Sequence, residues 1–373
     1  MLMAAFVLIS NMAISQKQQK QQPVIIGYVG GFRGMVVTDS IDVKRLSHIN
    51  YAFVDIKDNR AWLHNEATDT INFRKLVELK SQNPDLKILI SVGGWTWSKN
   101  FSDAVLTDTS TYNFAKSAVD IVTQYELDGV DIDWEYPGMI GDSNVYRQED
   151  KEHYTLLFKD LRWLLDSVTK ITSKKYFVTT AIGGSTAYLE HTEMDKVQLY
   201  TDFINMMSYD YDESGNGIAE HHTNLYTSPG YDHLYSADKS IQNLIKAGVP
   251  PNKIVMGVAF YGKGQLMDST VTGGGLYGKS IKGVRGGGYT YLKDSLVNQK
   301  GFTRYWDKHA KAPYLFNDEK KIFISYDDEE SIKHKCKYIK KYHLAGMMFW
   351  EYSSDKKGYL LKVIADKFKY EAD

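Results

Sequence analysis

The sequence predicts an α/β chain folded as a (β/α)8 barrel, with a small α+β insertion between the seventh and eighth strands. Three observations carry this. Short apolar, β-branched runs occur eight times and alternate with longer amphipathic ones. A doubly wound open sheet is the competing fold, but its Gly-rich phosphate fingerprint is absent, because Gly27, Gly30, Gly31 and Gly34 lack that spacing. One segment, from about Gly262 to Ile324, breaks the rhythm.

The predicted strands are Val24–Val29, Ile49–Val54, Lys87–Val92, Gly129–Glu135, Phe177–Ile182, Phe203–Tyr209, Ile254–Phe260 and Gly346–Glu351. Each is a short run bounded by turn-forming or polar residues. Between them, helical periodicity predicts Thr111–Tyr125, Glu149–Ser167, Ala237–Ala247 and Asp328–Tyr342. Gly248, followed by Pro250 and Pro251, stops the third of these. The irregular segment 262–324 carries Gly273-Gly274-Gly275, Gly286-Gly287-Gly288 and several Tyr. It is too long for an ordinary loop in a compact domain, so it reads as an inserted subdomain.

The fourth strand carries the most chemistry. In Asp128-Gly129-Val130-Asp131-Ile132-Asp133-Trp134-Glu135-Tyr136-Pro137 the side chains of a strand alternate between faces. Val130, Ile132 and Trp134 suit packing under helices. Asp131, Asp133 and Glu135 then form a row pointing at the barrel axis. Acids are almost never buried without partners. Close carboxylates resist ionising together, so at least one keeps a proton near neutral pH. Glu135 comes last along the strand, at the C-terminal mouth where barrel enzymes place their chemistry. Two other readings fit less well. A calcium loop needs a Gly at its sixth position and turn-prone spacing where Ile132 and Trp134 stand. An exposed edge strand fits the charged face but not the barrel rhythm.

The rest of the composition excludes more than it assigns. A net charge of −1 on 373 residues gives no reason to expect nucleic acid or an anionic membrane as partner. The 13% aromatic content, with 27 Tyr and 15 Phe, would suit a sugar-stacking groove or simply a large core. The single Cys336 cannot form an internal disulfide and reads as a small buried apolar group. His221-His222 is an isolated pair expected at the surface, and no cluster with metal-ligand spacing appears, so neither metal nor cofactor is expected. Residues 1–15 read as a signal peptide, apolar from Leu2 to Ile14 and too short to span a bilayer. Residues 16–22 read as a polar tether, and 23–373 as the barrel domain. A secreted or periplasmic monomer, off the membrane once its leader is removed, is the expectation.

The spacing Asp128-x-x-Asp131-x-Asp133-x-Glu135 resembles the signature of glycoside hydrolase family 18, the chitinases. Ser91-Val92-Gly93-Gly94 is similar to the family's third-strand signature. Met207-Ser208-Tyr209-Asp210 resembles the end of its sixth strand, and Phe349-Trp350-Glu351 that of its eighth. The resemblance covers nearly the whole mature chain and implies the same barrel. It implies hydrolysis of β-1,4 N-acetylglucosamine linkages in chitin or its oligomers, with the substrate's acetamide as nucleophile. It further implies Glu135 as acid and base, and Asp133 holding the acetamide nitrogen. Asp131 would share a proton with Asp133, Tyr209 would bond the acetyl oxygen, and Asp210 would support the same ring. Trp350 would be the floor under the sugar. Trp95 would be a platform on the leaving-group side, extended by Trp97. Tyr28, Phe53, Tyr136, Met207 and Tyr261 match groove positions. The resemblance also implies non-proline cis peptides at Ala52–Phe53, Glu135–Tyr136 and Trp350–Glu351.

There are departures. Val29-Gly30-Gly31-Phe32 lacks the Trp that many relatives place after the first strand, and Tyr211-Asp212-Glu213-Ser214 lacks another platform. A processive grip on crystalline chitin is therefore not expected. An endo-β-N-acetylglucosaminidase acting on glycoprotein chitobiose cores would share the motif. So would a chitin-binding lectin on the same barrel, although family lectins typically lack the acid that Glu135 supplies.

Overall fold

The structure, a computed structural model, describes residues 22–212, 217–231 and 235–370. The expected signal peptide and most of the tether lie outside the described residues, as do Glu213 and Ser214. The strands in chain order are β1 Val24–Gly30, β2 His48–Lys57, β3 Arg60–Trp62, β4 Lys87–Gly93, β5 Gly129–Asp133, β6 Phe177–Ile182 and β7 Phe203–Met206. They continue with β8 Ile254–Ala259, β9 Tyr261–Met267, β10 Ser280–Gly288, β11 Phe302–Asp307, β12 Ala312–Asn317, β13 Ile322–Ser325 and β14 Gly346–Trp350. Eight of them, β1, β2, β4, β5, β6, β7, β8 and β14, pair in parallel in that order, and β14 returns to β1. That closes the barrel. β3 is a short antiparallel hairpin partner of β2.

Each predicted barrel strand is present, with shifted ends. β5 stops at Asp133 and β7 at Met206, so Glu135 and Tyr209 lie past the last ladder pair. The physical reason is that a strand stops where its neighbours stop offering hydrogen bonds. The chain beyond is free to turn its side chains over the mouth. Helices Asp108–Gln124, Asp150–Thr172, Ala237–Lys246 and Glu329–Tyr342 stand where periodicity placed them. Two of them start at capping boxes. Thr107 caps the first, and Asp328 caps the last by accepting from the Glu330 and Ser331 amides at 2.9 and 3.0 Å.

The outward row of β5 is sealed under helices. Val130, Ile132 and Trp134 are fully buried, and Trp134 stacks on Phe101 with 4.9 Å between ring centroids. Between β8 and β14 the chain builds a second sheet, antiparallel throughout, in the order β10-β9-β13-β12-β11, with helix Tyr289–Ser295 beside it. Cys336 is buried and free. The peptides Ala52–Phe53, Glu135–Tyr136 and Trp350–Glu351 are cis. Among the described residues no helix is long and apolar enough to cross a membrane.

Candidate active site

At the C-terminal ends of the barrel strands lies a cleft of about 1490 Å³. Tyr28, Phe53, Trp95, Trp97, Asp133, Glu135, Tyr136, Met207, Tyr209, Asp210 and Trp350 all line it. Asp131 lies beneath, fully buried. Tyr261 is not on the lining; its hydroxyl donates to Asp210 Oδ1 at 2.8 Å.

The acid row is graded by its partners. Asp131 is the deepest and the best satisfied. Its Oδ2 accepts from Ser91 Oγ at 2.7 Å and Tyr28 Oη at 2.9 Å, and its Oδ1 from Thr179 Oγ1 at 2.5 Å and Asn205 Nδ2 at 3.2 Å. Burial raises its carboxyl above the ordinary range while these donors oppose the rise. Asp133 is buried too, but its Oδ1 has no hydrogen-bond partner among the described residues. Burial first, then the charges of Glu135 and Asp131, push its carboxyl well up. Burial and the charge of Asp210 raise Glu135 to about 7, against a hydrogen bond from Tyr136 that favours the anion. A carboxyl poised there can both give and take a proton near neutral pH.

Glycines and one serine set this row in place. Gly93 has φ +107°, and a Cβ on it would stand 2.2 Å from the Asp133 carbonyl oxygen. Gly94 has φ +84° and lies against the Phe53 ring; its amide donates to that same Asp133 carbonyl at 2.7 Å. The Glu135 amide donates to Ser98 Oγ at 2.9 Å. Ser98, a residue sequence reasoning missed, thus joins the turn after β4 to the acid.

The aromatic wall is continuous. Phe53 stacks with Trp350 at 5.4 Å and Phe32 with Trp350 at 6.1 Å, while Trp97 meets Phe53 edge-on at 5.7 Å. Trp95 stands half exposed across the cleft, edge-on to Tyr136. Among the described residues Tyr209 Oη reaches only the sulfur of Met348, at 3.9 Å.

Phe32, Asp212 and Lys263 line the cleft as well and were not singled out in the sequence. Phe32 was legible as an aromatic directly after the first strand. Lys263 was not, because it belongs to the first strand of the insertion. Its ammonium sits 2.7 Å from Asp212 Oδ1 and 3.6 Å from Asp210 Oδ1. Burial alone would raise Asp210, but His222, Lys263 and Tyr261 together hold it below the ordinary range. Asp210, Asp212 and His222 have ligand atoms within 4.8 Å of one another, and the Lys263 ammonium offsets part of the charge of the two carboxylates. The expectation of a surface His221-His222 pair is corrected, since both are buried. The segment is held against the second sheet, with the His222 amide donating to Ser325 Oγ at 2.9 Å and His221 Nε2 lying 3.4 Å from Asp307, while His222 Nδ1 lies 3.4 Å from Asp210.

The family model described as "Glycosyl hydrolases family 18" matches residues 24–355. Chitinase A1 of Niallia circulans is 37% identical over 92% of this chain, which spans only 58% of that relative's length. Chitinase B of Serratia marcescens is 30% identical over 88% of this chain and 77% of its own. Among solved structures, a glycoside hydrolase family 18 N-acetylglucosaminidase from Paenibacillus barengoltzii superposes with a TM-score of 0.85 at 40% identity. That match covers 92% of this chain and 99% of the other.

Proposed function

The chain belongs to glycosyl hydrolase family 18, and from that premise we propose that it hydrolyses β-1,4 bonds between N-acetylglucosamine residues of chitin or chito-oligosaccharides. The mechanism is retaining, and the substrate's own acetamide is the nucleophile. The observation that carries this reading is a pair of polar atoms left over at the cleft. Among the described residues Asp133 Oδ1 has no protein partner, and Tyr209 Oη has only a sulfur at 3.9 Å. An acetamide offers one N–H donor and one carbonyl acceptor, which is the complement of this pair.

In this mechanism Glu135 gives its proton to the glycosidic oxygen as the bond breaks. The acetamide oxygen attacks the sugar carbon from the other side, and a cyclic oxazolinium forms. Asp133 accepts from the acetamide N–H and balances the growing positive charge, while Tyr209 donates to the carbonyl and aims it. Asp131 shares a proton with Asp133, and that proton passes to Asp131 as the oxazolinium forms, which leaves Asp133 the anion that balances it. Trp350 and Phe53 provide the apolar floor, and Trp95 the platform for the departing sugars. The deprotonated Glu135 then takes a proton from water, which opens the oxazolinium with retention. Export through the leader at residues 1–15 belongs to the same proposal, because an insoluble polymer meets its hydrolase outside the cell.

The test compares chitotetraose with its fully deacetylated counterpart. Wild type should cut the first and not the second. Glu135→Gln should lose about 10²–10⁴-fold in kcat while still binding the acetylated chain. Comparable cleavage of the deacetylated chain would sink substrate assistance.

A further inference from the structure

We propose that the turn Gly31–Arg33 closes the cleft just beyond Trp350 and makes this a chain-end site, one that removes single N-acetylglucosamine residues from the non-reducing end. The proposal rests on the function stated above and deepens it.

The rim of the barrel carries two depressions. The catalytic cleft is bounded near β1 by Phe32. A second depression, of about 910 Å³, has Gly30 and Arg33 in its wall, with Glu351 and the helix Tyr289–Ser295. The partition is made of consecutive residues facing opposite ways. Phe32 and Trp350 line the cleft, whereas Arg33 and Glu351 line the second depression. A single groove joining the two spaces would hold a long chain. Here the turn stands between them.

The partition is braced. Arg33 Nη1 donates to Ser353 Oγ at 2.8 Å and lies 3.0 Å from Glu351 Oε1, which is buried. The same guanidinium lies 5.2 Å over the Phe32 ring. Phe32 in turn stacks on Trp350, with 6.1 Å between centroids and 11° between planes, and on Phe53 at 6.2 Å. The turn is also pressed onto the barrel, since a Cβ on Gly31 would stand 2.0 Å from the Tyr51 ring. Tyr51 is itself held by hydrogen bonds with Asp69 and Asn72, at 2.6 and 2.9 Å. The Phe32–Trp350 separation is that of aromatic rings in direct contact. Phe32 therefore occupies the space beside Trp350 where a further sugar would lie, which makes the sugar over Trp350 the last on that side. Phe32 is 38% exposed, which places it in a wall rather than in the core.

The experiment follows early products from chitopentaose labelled at its reducing end. Wild type should release the monosaccharide and leave labelled fragments shortened by one residue at a time. Phe32→Ala, which opens the partition, should raise the early yield of disaccharide and longer products relative to monosaccharide by about tenfold. Phe32→Tyr, which keeps the ring and so the wall, should retain the monosaccharide pattern. Early disaccharides or internal fragments from wild type would overturn the chain-end assignment while leaving the hydrolytic function standing. An unchanged product pattern in Phe32→Ala would remove Phe32 from the role. Failure to cut acetylated oligomers at all would overturn the function itself, and this inference with it.

Discussion

Glu135 is the cleft carboxyl whose titration falls nearest neutral pH. Burial and then Asp210 raise its carboxyl from an ordinary 4.5 to about 7. In the proposed role of general acid it must be protonated, so kcat should fall as pH rises through about 7. The sign for stability is the same. Between 4.5 and about 7 the folded chain holds a proton on Glu135 that the unfolded chain releases. This contribution is fully present below the unfolded value and is lost as pH rises through the folded one. Glu135→Gln cannot ionise. Its melting temperature relative to wild type should therefore climb steadily as pH is raised across that window, as read by scanning calorimetry. A difference independent of pH would show that Glu135 titrates as an ordinary carboxyl. The acid itself was legible in the sequence, because alternation along a strand needs only its own residues. Its setting was not, since Ser98 and Asp210 come from other strand ends.

At the scale of elements, the turn after β4 aligns the acid row. Gly93→Ala places a methyl 2.2 Å from the Asp133 carbonyl in a left-handed backbone that favours glycine. It should cost about 2–3 kcal/mol in urea unfolding and lower kcat, because relief of the clash must move β5 or β4. Wild-type stability and turnover in this variant would mean that the turn relaxes without touching Asp133. The existence of the elements was written in periodicities of 2 and 3.6, and so the strand and helix positions were recovered. Their ends were less legible. β5 and β7 end two or three residues before the apolar pattern does. A ladder is a property of two strands, and a single sequence shows only one.

At the scale of the whole molecule, a buried ion pair ties the helix Glu329–Tyr342 to the segment after β7. Lys335, on the helix Glu329–Tyr342, reaches Asp327 Oδ2 at 2.6 Å, the Thr223 carbonyl at 2.7 Å and Thr223 Oγ1 at 2.8 Å. Lys335 and Asp327 are both fully buried as side chains. Asp327 follows the last strand of the insertion, and Thr223 lies in the segment after β7. Removing one partner strands the other charge. Lys335→Met should therefore cost about 3–5 kcal/mol, and adding Asp327→Asn should restore part of it. Additive losses in the double variant, measured by chemical denaturation, would show that the two do not act as a pair.

By itself the sequence determined the alternation of strands and helices, the place of the insertion, and the row Asp131, Asp133, Glu135 on one face. All of these are local patterns, in which the informative residues are a few positions apart. The tertiary structure alone decided what surrounds that row. The donors on Asp131 come from Ser91, Thr179, Asn205 and Tyr28, which lie 40, 48, 74 and 103 residues away. It also decided that Lys263 sits between Asp210 and Asp212, that His221 and His222 are buried, and that Phe32 meets Trp350 across 318 residues of chain. Closing the barrel brings these groups together. Whether a polar side chain is solvated, paired or left facing the cleft depends on neighbours that no local period encodes.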